Sequence, residues 1–157
     1  MFCVRHKQPA LFDYKQDEPV KAHLILLAHG SKDSNWCRTF ELGLGTINNR
    51  LEKNASLAYM EMAVPSLENV ISKYYLLGER EFEVLPLFFA AGRHLLHDVP
   101  EKIARMNGQY KGINITLLDE VGSYDAFWTG LGELIASNHP SSKAVHASES
   151  TGIRPHA

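Results

Sequence analysis

The sequence predicts an α/β fold: a single doubly wound domain with a four-stranded parallel sheet and helices on both faces. Its 157 residues suit one domain, and its apolar and charged fractions of 45% and 22% are close to globular averages. Short apolar runs also alternate four times with segments of helical periodicity. Strands that alternate with helices in this way form parallel sheets with right-handed crossovers.

The first two strand–helix units are the clearest. Residues 23–28 form a nearly continuous apolar run, which is typical of a strand covered on both faces. From Ser34 onward, apolar residues recur on one face of a predicted helix. A second strand is expected at 56–63, followed by a helix that Pro65 opens and Gly78 ends.

The third unit carries a proline inside its strand. That strand is expected at 82–89, and Pro86 lacks a backbone donor, which predicts that the strand bulges or ends nearby. The next helix is expected to begin at Asp98, an acceptor followed by a glutamate three residues later, as in a capping box. A last unit comprises a strand at 113–118 and a helix at 124–138.

The two ends of the chain differ from its middle in composition. Residues 1–20 show no periodic pattern and are expected to form an N-terminal arm, while 21–138 hold the α/β domain. Residues 139–157 are rich in Ser, Pro, His and Ala, with very few large apolar groups. Such a segment cannot offset its ordering entropy by burial, which predicts a flexible C-terminal tail.

Charge and composition exclude several classes of protein. A formal net charge of -2 gives no basic excess for nucleic acid, and no apolar run reaches the length of about 20 residues that a membrane helix needs. The first twenty residues lack the continuous apolar centre of a secretion signal. Cys3 and Cys37 stand apart, which excludes a disulfide framework and a thiolate zinc site. A cytoplasmic protein is therefore expected.

Ligands of doubly wound sheets bind beyond the carboxyl ends of the strands. The segments at this edge are 29–33, Glu61, 92–98 and 120–123. The first of them lacks a G-x-G-x-x-G motif, and the chain has no P-loop, so nucleotide binding is disfavoured. The sequence holds only half of a G-x-S-x-G elbow, which disfavours a serine hydrolase. A phosphohistidine enzyme would need an arginine at the end of the strand, and this chain has Ala28 before His29, so phosphohistidine chemistry is also disfavoured.

Two histidines at this edge suggest a metal site. His29 follows the first strand and His94 the third, so their rings can converge if these strands are neighbours. Neutral imidazole is a common ligand for divalent first-row metals. Glu61 adds a carboxylate that can ligate or accept protons. The alternatives are a packing role for His29 at a tight glycine turn and a solvated position for Glu61.

Four further polar residues lie on the same loops. Ser31, Lys32, Arg93 and His97 are candidates for binding an anionic substrate, helped by helix N-termini that favour negative charge. The alternative is that they are ordinary polar residues of surface loops.

Three stretches give the sequence a family resemblance. They are LLAHGSKD at 26–33, MEMAVPSLENVI at 60–71 and VLPLFFAAGRHLLHDVP at 84–100, and the G-x-H-x-x-x-D-x-P pattern in the third is the most specific. With these stretches the sequence resembles the short-form CbiX-type sirohydrochlorin chelatases of the class II chelatase family, over about residues 23–136.

The resemblance implies an activity. Short chelatases of this kind insert a divalent metal into sirohydrochlorin, commonly cobalt and in some relatives iron or nickel, without an organic cofactor or nucleotide. It also implies a homodimer that builds from two chains what longer relatives hold in one. Carried over by position, His29 and His94 would bind the metal and accept protons, with Glu61 as the assisting carboxylate.

The sequence departs from the family pattern at two positions. Lys32 stands where many relatives have Arg, and Arg93 occupies a position that is usually small. Two other functions stay open beside the chelatase: a non-enzymatic carrier of metal or tetrapyrrole, and a catalytically silent paralogue.

Overall fold

The computed structural model describes residues 21–139, which form a four-stranded sheet in the order β2-β1-β3-β4 with every pair of neighbours parallel. The predicted fold class is confirmed. The N-terminal arm and all but the first residue of the predicted tail lie outside the described residues, so the division of the chain stays a prediction. The strands are β1 His23–Ala28, β2 Ser56–Tyr59, β3 Glu81–Pro86 and β4 Asn114–Leu117.

Helices lie on both faces of this sheet. One face packs against α1, and the opposite face packs against α2 and α3. None of the helices between residues 21 and 139 is long and apolar enough to cross a membrane. The helices are α1 Ser34–Asn48, α2 Leu67–Leu76, α3 Val99–Gln109 and α4 Asp125–Asn138, with a π-helical turn at His94–Asp98 and a 3-10 turn at Val121–Ser123.

Strand β1 lies at the centre of two apolar clusters. Ile25 and Leu27 face α2 and α3, whereas Leu26 and Ala28 face α1. All four are at most 2% exposed. Burial on both faces explains why this strand has a nearly continuous apolar sequence rather than an alternating one.

Two predicted strands are shorter than expected. β2 ends at Tyr59 rather than at residue 63, because the chain bends through 60–64 before α2. Pro86 is the last residue of β3, as its missing backbone donor predicts.

Two predicted helix starts are wrong in detail. Ser66 rather than Pro65 immediately precedes α2, and it forms a reciprocal capping box with Asn69. Asp98 does not cap α3, because its backbone is already helical within the π turn and its side chain makes no cap hydrogen bond. Gly78 follows the end of α2 with φ of +100°, as predicted for a glycine that ends a helix.

A buried histidine lies at the opposite, amino edge of the sheet. His23 is 2% exposed, its ring stacks on Tyr74 at 3.8 Å, and its Nε2 is 2.9 Å from the Ser56 hydroxyl oxygen. Among the described residues, its Nδ1 has no hydrogen-bond partner. Burial, and then the nearby ammonium group of Lys53, hold the pKa of His23 below its ordinary value of 6.5.

This burial predicts a pH-dependent stability. Below about pH 6.5 the unfolded chain takes up a proton at His23 that the folded chain resists. The free energy of unfolding therefore falls as the pH drops from 6.5 toward the lowered pKa of the folded state, and this contribution levels off below it. Urea denaturation at a series of pH values should show a smaller fall for His23→Gln than for wild type.

The control for this experiment is Ser56→Ala, which removes the hydrogen bond but keeps the imidazole. It should lower stability by about 1 kcal/mol and retain most of the pH dependence. An unchanged pH dependence in His23→Gln would contradict the prediction.

Candidate functional site

The sheet reverses its strand order between β1 and β3. The chain passes from β1 to β2 on one side, and from β3 to β4 on the other. In doubly wound sheets the crevice at this switch point, beyond the carboxyl ends of the strands, is the usual ligand site. His29 follows β1 directly, and the loop after β3 leads to the π turn that begins with His94. The first and third strands are neighbours, which is the condition that the sequence analysis set for the two histidines to converge.

The structure brings His29 and Glu61 together. His29 Nε2 lies 3.5 Å from Glu61 Oε1, and both side chains are close to half exposed. Their proximity follows from the backbone, because hydrogen bonds join the two segments beyond the ends of the strands. The Met60 amide donates to the Ala28 carbonyl at 2.9 Å, and the Glu61 amide donates to the His29 carbonyl at 3.1 Å.

Gly30 makes this approach possible. Its φ is +99°, and a Cβ at this position would lie 1.9 Å from the Glu61 carbonyl oxygen. Any other residue would both strain the backbone and push the Glu61 segment away from β1. Sequence reasoning missed this role, although the glycine directly after the histidine was visible.

His29 lines a small hollow at this edge. Its volume is about 160 Å³, and the other lining residues are largely apolar. An imidazole in such surroundings offers one polar contact to a ligand with a broad apolar surface. The hollow is lined by His29, Met60, Phe88, Ala90, Gly92 and Leu95.

A larger cavity lies at the opposite edge. It measures about 500 Å³, and its lining includes Lys21, Glu52 and Glu83. None of the predicted site residues lines this cavity. We therefore take the smaller hollow beside His29 as the candidate site, although this cavity is larger.

His94 begins the π turn, one position before Leu95, which lines the hollow. The side chain of His94 lies outside the described part of the structure, so its predicted convergence with His29 stays a prediction. The described side chains contain no cluster of three or more His, Cys, Asp or Glu residues arranged to hold a metal ion. Among the described residues, His29 and Glu61 are the two candidate metal ligands that lie next to each other.

The four predicted substrate-binding residues lie at this edge, two in the loop after β1 and two in the helical segment that follows β3. Lys32, Arg93 and His97 are exposed, the first after β1 and the other two around the π turn. The Ser31 hydroxyl accepts a hydrogen bond from the Asp33 amide at 3.1 Å, which fixes the turn before α1. Ser31 therefore has a structural role in addition to its predicted one.

The loop after β3 is held by two residues to which sequence reasoning gave no role. The Gly122 amide donates to the Phe88 carbonyl at 3.1 Å, and a Cβ on Gly122 would lie 1.8 Å from the Phe89 carbonyl oxygen. Hydrogen bonds from its own amide, the Ser123 side chain and the Ala91 backbone lower the pKa of Glu120. The end of β4 thus positions the segment that leads to His94.

Gly30→Ala should separate Glu61 from His29. The added methyl group overlaps the Glu61 carbonyl, and the left-handed backbone costs about 1 kcal/mol or more for a non-glycine residue. We expect a fall in stability of at least that size by urea denaturation and a displaced Glu61 backbone in a crystal structure of the variant.

The matched control is Gly43→Ala, because an added Cβ there meets nothing within 4 Å. Gly43 lies inside α1, so this variant should gain about 1 kcal/mol from helix propensity. A Gly30→Ala protein as stable as wild type would show that the close approach is dispensable.

Comparisons with known proteins show which family this chain belongs to. Relatives named sirohydrochlorin cobaltochelatase occur in Sulfurisphaera tokodaii, 25% identical over 99 residues, and in Saccharolobus solfataricus, 27% identical over 105 residues. Each alignment covers 63% of this chain, with 78% and 81% of the relatives.

Two solved structures are also similar. A protein described as a cobalamin (vitamin B12) biosynthesis CbiX protein from Marinobacter aquaeolei VT8 has a TM-score of 0.69 and 38% identity, over 75% of this chain and 97% of that one. SirB from Bacillus subtilis with Fe3+ has a TM-score of 0.66 at 18% identity, over 76% of this chain and 48% of that one, which shows a shared fold. The CbiX family model matches residues 23–137, and the chain belongs to the CbiX family.

Proposed function

We propose that this protein is a sirohydrochlorin chelatase, which inserts a divalent metal ion into the macrocycle. One observation carries the proposal: in a CbiX-family chain, the His29 imidazole lies 3.5 Å from the Glu61 carboxylate beside a hollow at the switch point of the sheet. The curated relatives from Sulfurisphaera and Saccharolobus are named for this reaction with cobalt.

The proposed roles follow from what insertion requires. The metal ion sheds water, two pyrrole N–H bonds break, and the ring nitrogens replace water on the metal. Neutral His29 and His94 hold the incoming ion and leave coordination positions open for the ring. Glu61, next to His29, accepts the two ring protons one after the other and releases each of them to water.

Weak binding of the metal suits a protein that must give it up. A structural zinc site binds its ion by roughly 10–16 kcal/mol, which would trap the substrate metal. The two proposed imidazole ligands leave coordination positions open, and the carboxylate beside His29 is half exposed. We propose cobalt as the metal, because the relatives are named for it. Iron and nickel are the alternatives, because the affinity of nitrogen and oxygen ligands rises from iron through cobalt to nickel in any protein and so does not select one of them.

The substrate itself suggests how it docks. Sirohydrochlorin is a flat macrocycle rich in carboxylates, and we propose that exposed Lys32, Arg93 and His97 contact them, with Ser31 as a further polar contact. No organic cofactor is required by this chemistry. We further propose that the protein acts in the cytoplasm as a homodimer.

Anaerobic incubation with sirohydrochlorin and cobalt or iron, followed by visible spectroscopy, tests the proposal. Wild type should turn over many times. His29→Ala should lose at least 100-fold in rate, because a metal ligand is removed, and Glu61→Gln about 100-fold, because the carboxylate no longer accepts a proton.

Matched controls are His139→Ala and Glu101→Gln, which lie at the end of α4 and in the first turn of α3. They should keep the wild-type rate. Stoichiometric binding without turnover would instead identify a carrier of metal or tetrapyrrole. A protein that neither binds nor turns over would be a silent paralogue.

Arg93→Gln should weaken substrate binding without slowing insertion. The guanidinium group is exposed at the edge that holds His29, where it attracts substrate carboxylates. We expect a several-fold higher KM for sirohydrochlorin, an unchanged kcat, and a weaker dependence of KM on salt.

Arg50→Gln is the control, because Arg50 is an exposed arginine just past α1, at the opposite edge of the sheet. Its KM should match wild type. Equal KM values for wild type, Arg93→Gln and Arg50→Gln would show that Arg93 does not contact the substrate.

A further inference from the structure

Met62 has a backbone conformation that residues with a side chain rarely adopt. Its φ is 59°, and between residues 21 and 139 no other non-glycine residue has a positive φ. Across it, the Ala63 amide donates to the Glu61 carbonyl at 2.8 Å. A hydrogen bond that spans three residues, with a positive φ at the middle one, is the strained form of the γ-turn, which is rare in proteins. The surrounding structure therefore imposes this conformation on Met62.

The side chain of Met62 does not explain the strain. It is 53% exposed, so its burial does not offset the cost of the backbone conformation. Strained backbone persists where the structure around it fixes the chain, and it is concentrated at functional sites. The reason for the turn therefore lies in the backbone of Met62 and in the neighbour that it holds.

Both ends of the loop that contains Met62 are anchored. The Met60 amide is bonded to the end of β1, and the Tyr59 amide donates to the Pro65 carbonyl at 2.9 Å, just before α2. The chain must reverse between these anchors, and a γ-turn reverses it within three residues.

The turn fixes the peptide group that follows the Glu61 Cα. The Glu61 amide donates to the His29 carbonyl, and the Glu61 carbonyl accepts from the Ala63 amide. The same carbonyl lies against Gly30, where an added Cβ would be 1.9 Å away. Because planar peptide groups are held on both sides of the Cα, the direction of the Glu61 Cα–Cβ bond is set. Only side-chain rotation remains, and the carboxylate lies 3.5 Å from His29 Nε2.

We infer that Met62 is a positioning residue for Glu61: its strained γ-turn holds the carboxylate beside His29, where it receives protons from the macrocycle. This role rests on the chelatase activity proposed above and adds a residue that acts through another. The backbone of Met62 carries the role, and its thioether does not. The informative substitutions are therefore those that change which φ values the residue can adopt.

Met62→Pro removes the turn, because the φ of proline is fixed at about −65°. We expect kcat for cobalt insertion to fall about tenfold, less than for Glu61→Gln, because the carboxylate is present but no longer held. The KM for sirohydrochlorin should not change. Met62→Ile, whose branched side chain disfavours a positive φ, should show a smaller fall and is the second variant should Met62→Pro fail to fold. Met62→Gly permits the turn and should keep the wild-type kcat.

A double-mutant cycle separates positioning from a general loss of structure. In a Glu61→Gln background, Met62→Pro should cost less than about twofold in kcat, because no carboxylate remains to be positioned. The matched control is Val64→Ala, which removes a side chain that is 82% exposed from the same loop and leaves the turn intact. It should keep the wild-type kcat and KM. Equal slowing by Met62→Pro in both backgrounds, or a Met62→Gly protein as slow as Met62→Pro, would overturn the inference.

Crystal structures of the variants give a readout that does not depend on metal insertion. The Glu61 carboxylate should lie away from His29 in Met62→Pro and remain beside it in Met62→Gly. An unmoved carboxylate in Met62→Pro would overturn the inference, whatever the activity. A wild type that inserts no metal would overturn the proposed function, and the two crystal structures would still decide whether the turn holds Glu61.

Discussion

The pairing of β1 with both β2 and β3 determines where the candidate site residues lie. Because β1 is the central strand and all its partners are parallel, three strand ends arrive at one edge of the sheet. His29 leaves the middle strand there, and Glu61 follows the strand on one side of it. Burial of β1 on both faces fixes its register, since a slip by one residue would exchange the two apolar clusters.

The fold was largely predictable because its signals are periodic and local. The apolar run at 23–28 and the helical spacing after Ser34 indicate a strand and a helix without any tertiary information. The failures occur where local signals compete. Asp98 has the sequence of a cap, but the preceding residues continue the helix as a π turn. The exposure of α4 depends on packing, which periodicity does not report.

The sequence predicted that His29 and Glu61 lie at one edge of the sheet, but it did not predict the contacts that hold them there. The rule that ligands bind at strand ends selected His29 and Glu61, and the structure places their side chains 3.5 Å apart. The supports of the site are tertiary contacts between distant segments, and no single-sequence pattern encodes them. Gly30 beneath the Glu61 carbonyl and Gly122 against the Phe89 carbonyl are such contacts.

The π turn has a consequence for how this region tolerates length changes. A π turn holds one residue more than the α-helical geometry on either side of it requires. Loss of a single residue between His94 and Asp98 would let the backbone relax into an ordinary continuation of α3, so the helix itself would survive the deletion. The residues before the deletion would then rotate by about 100° around the axis. A deletion of one residue here would therefore preserve the fold and change the direction in which position 94 faces.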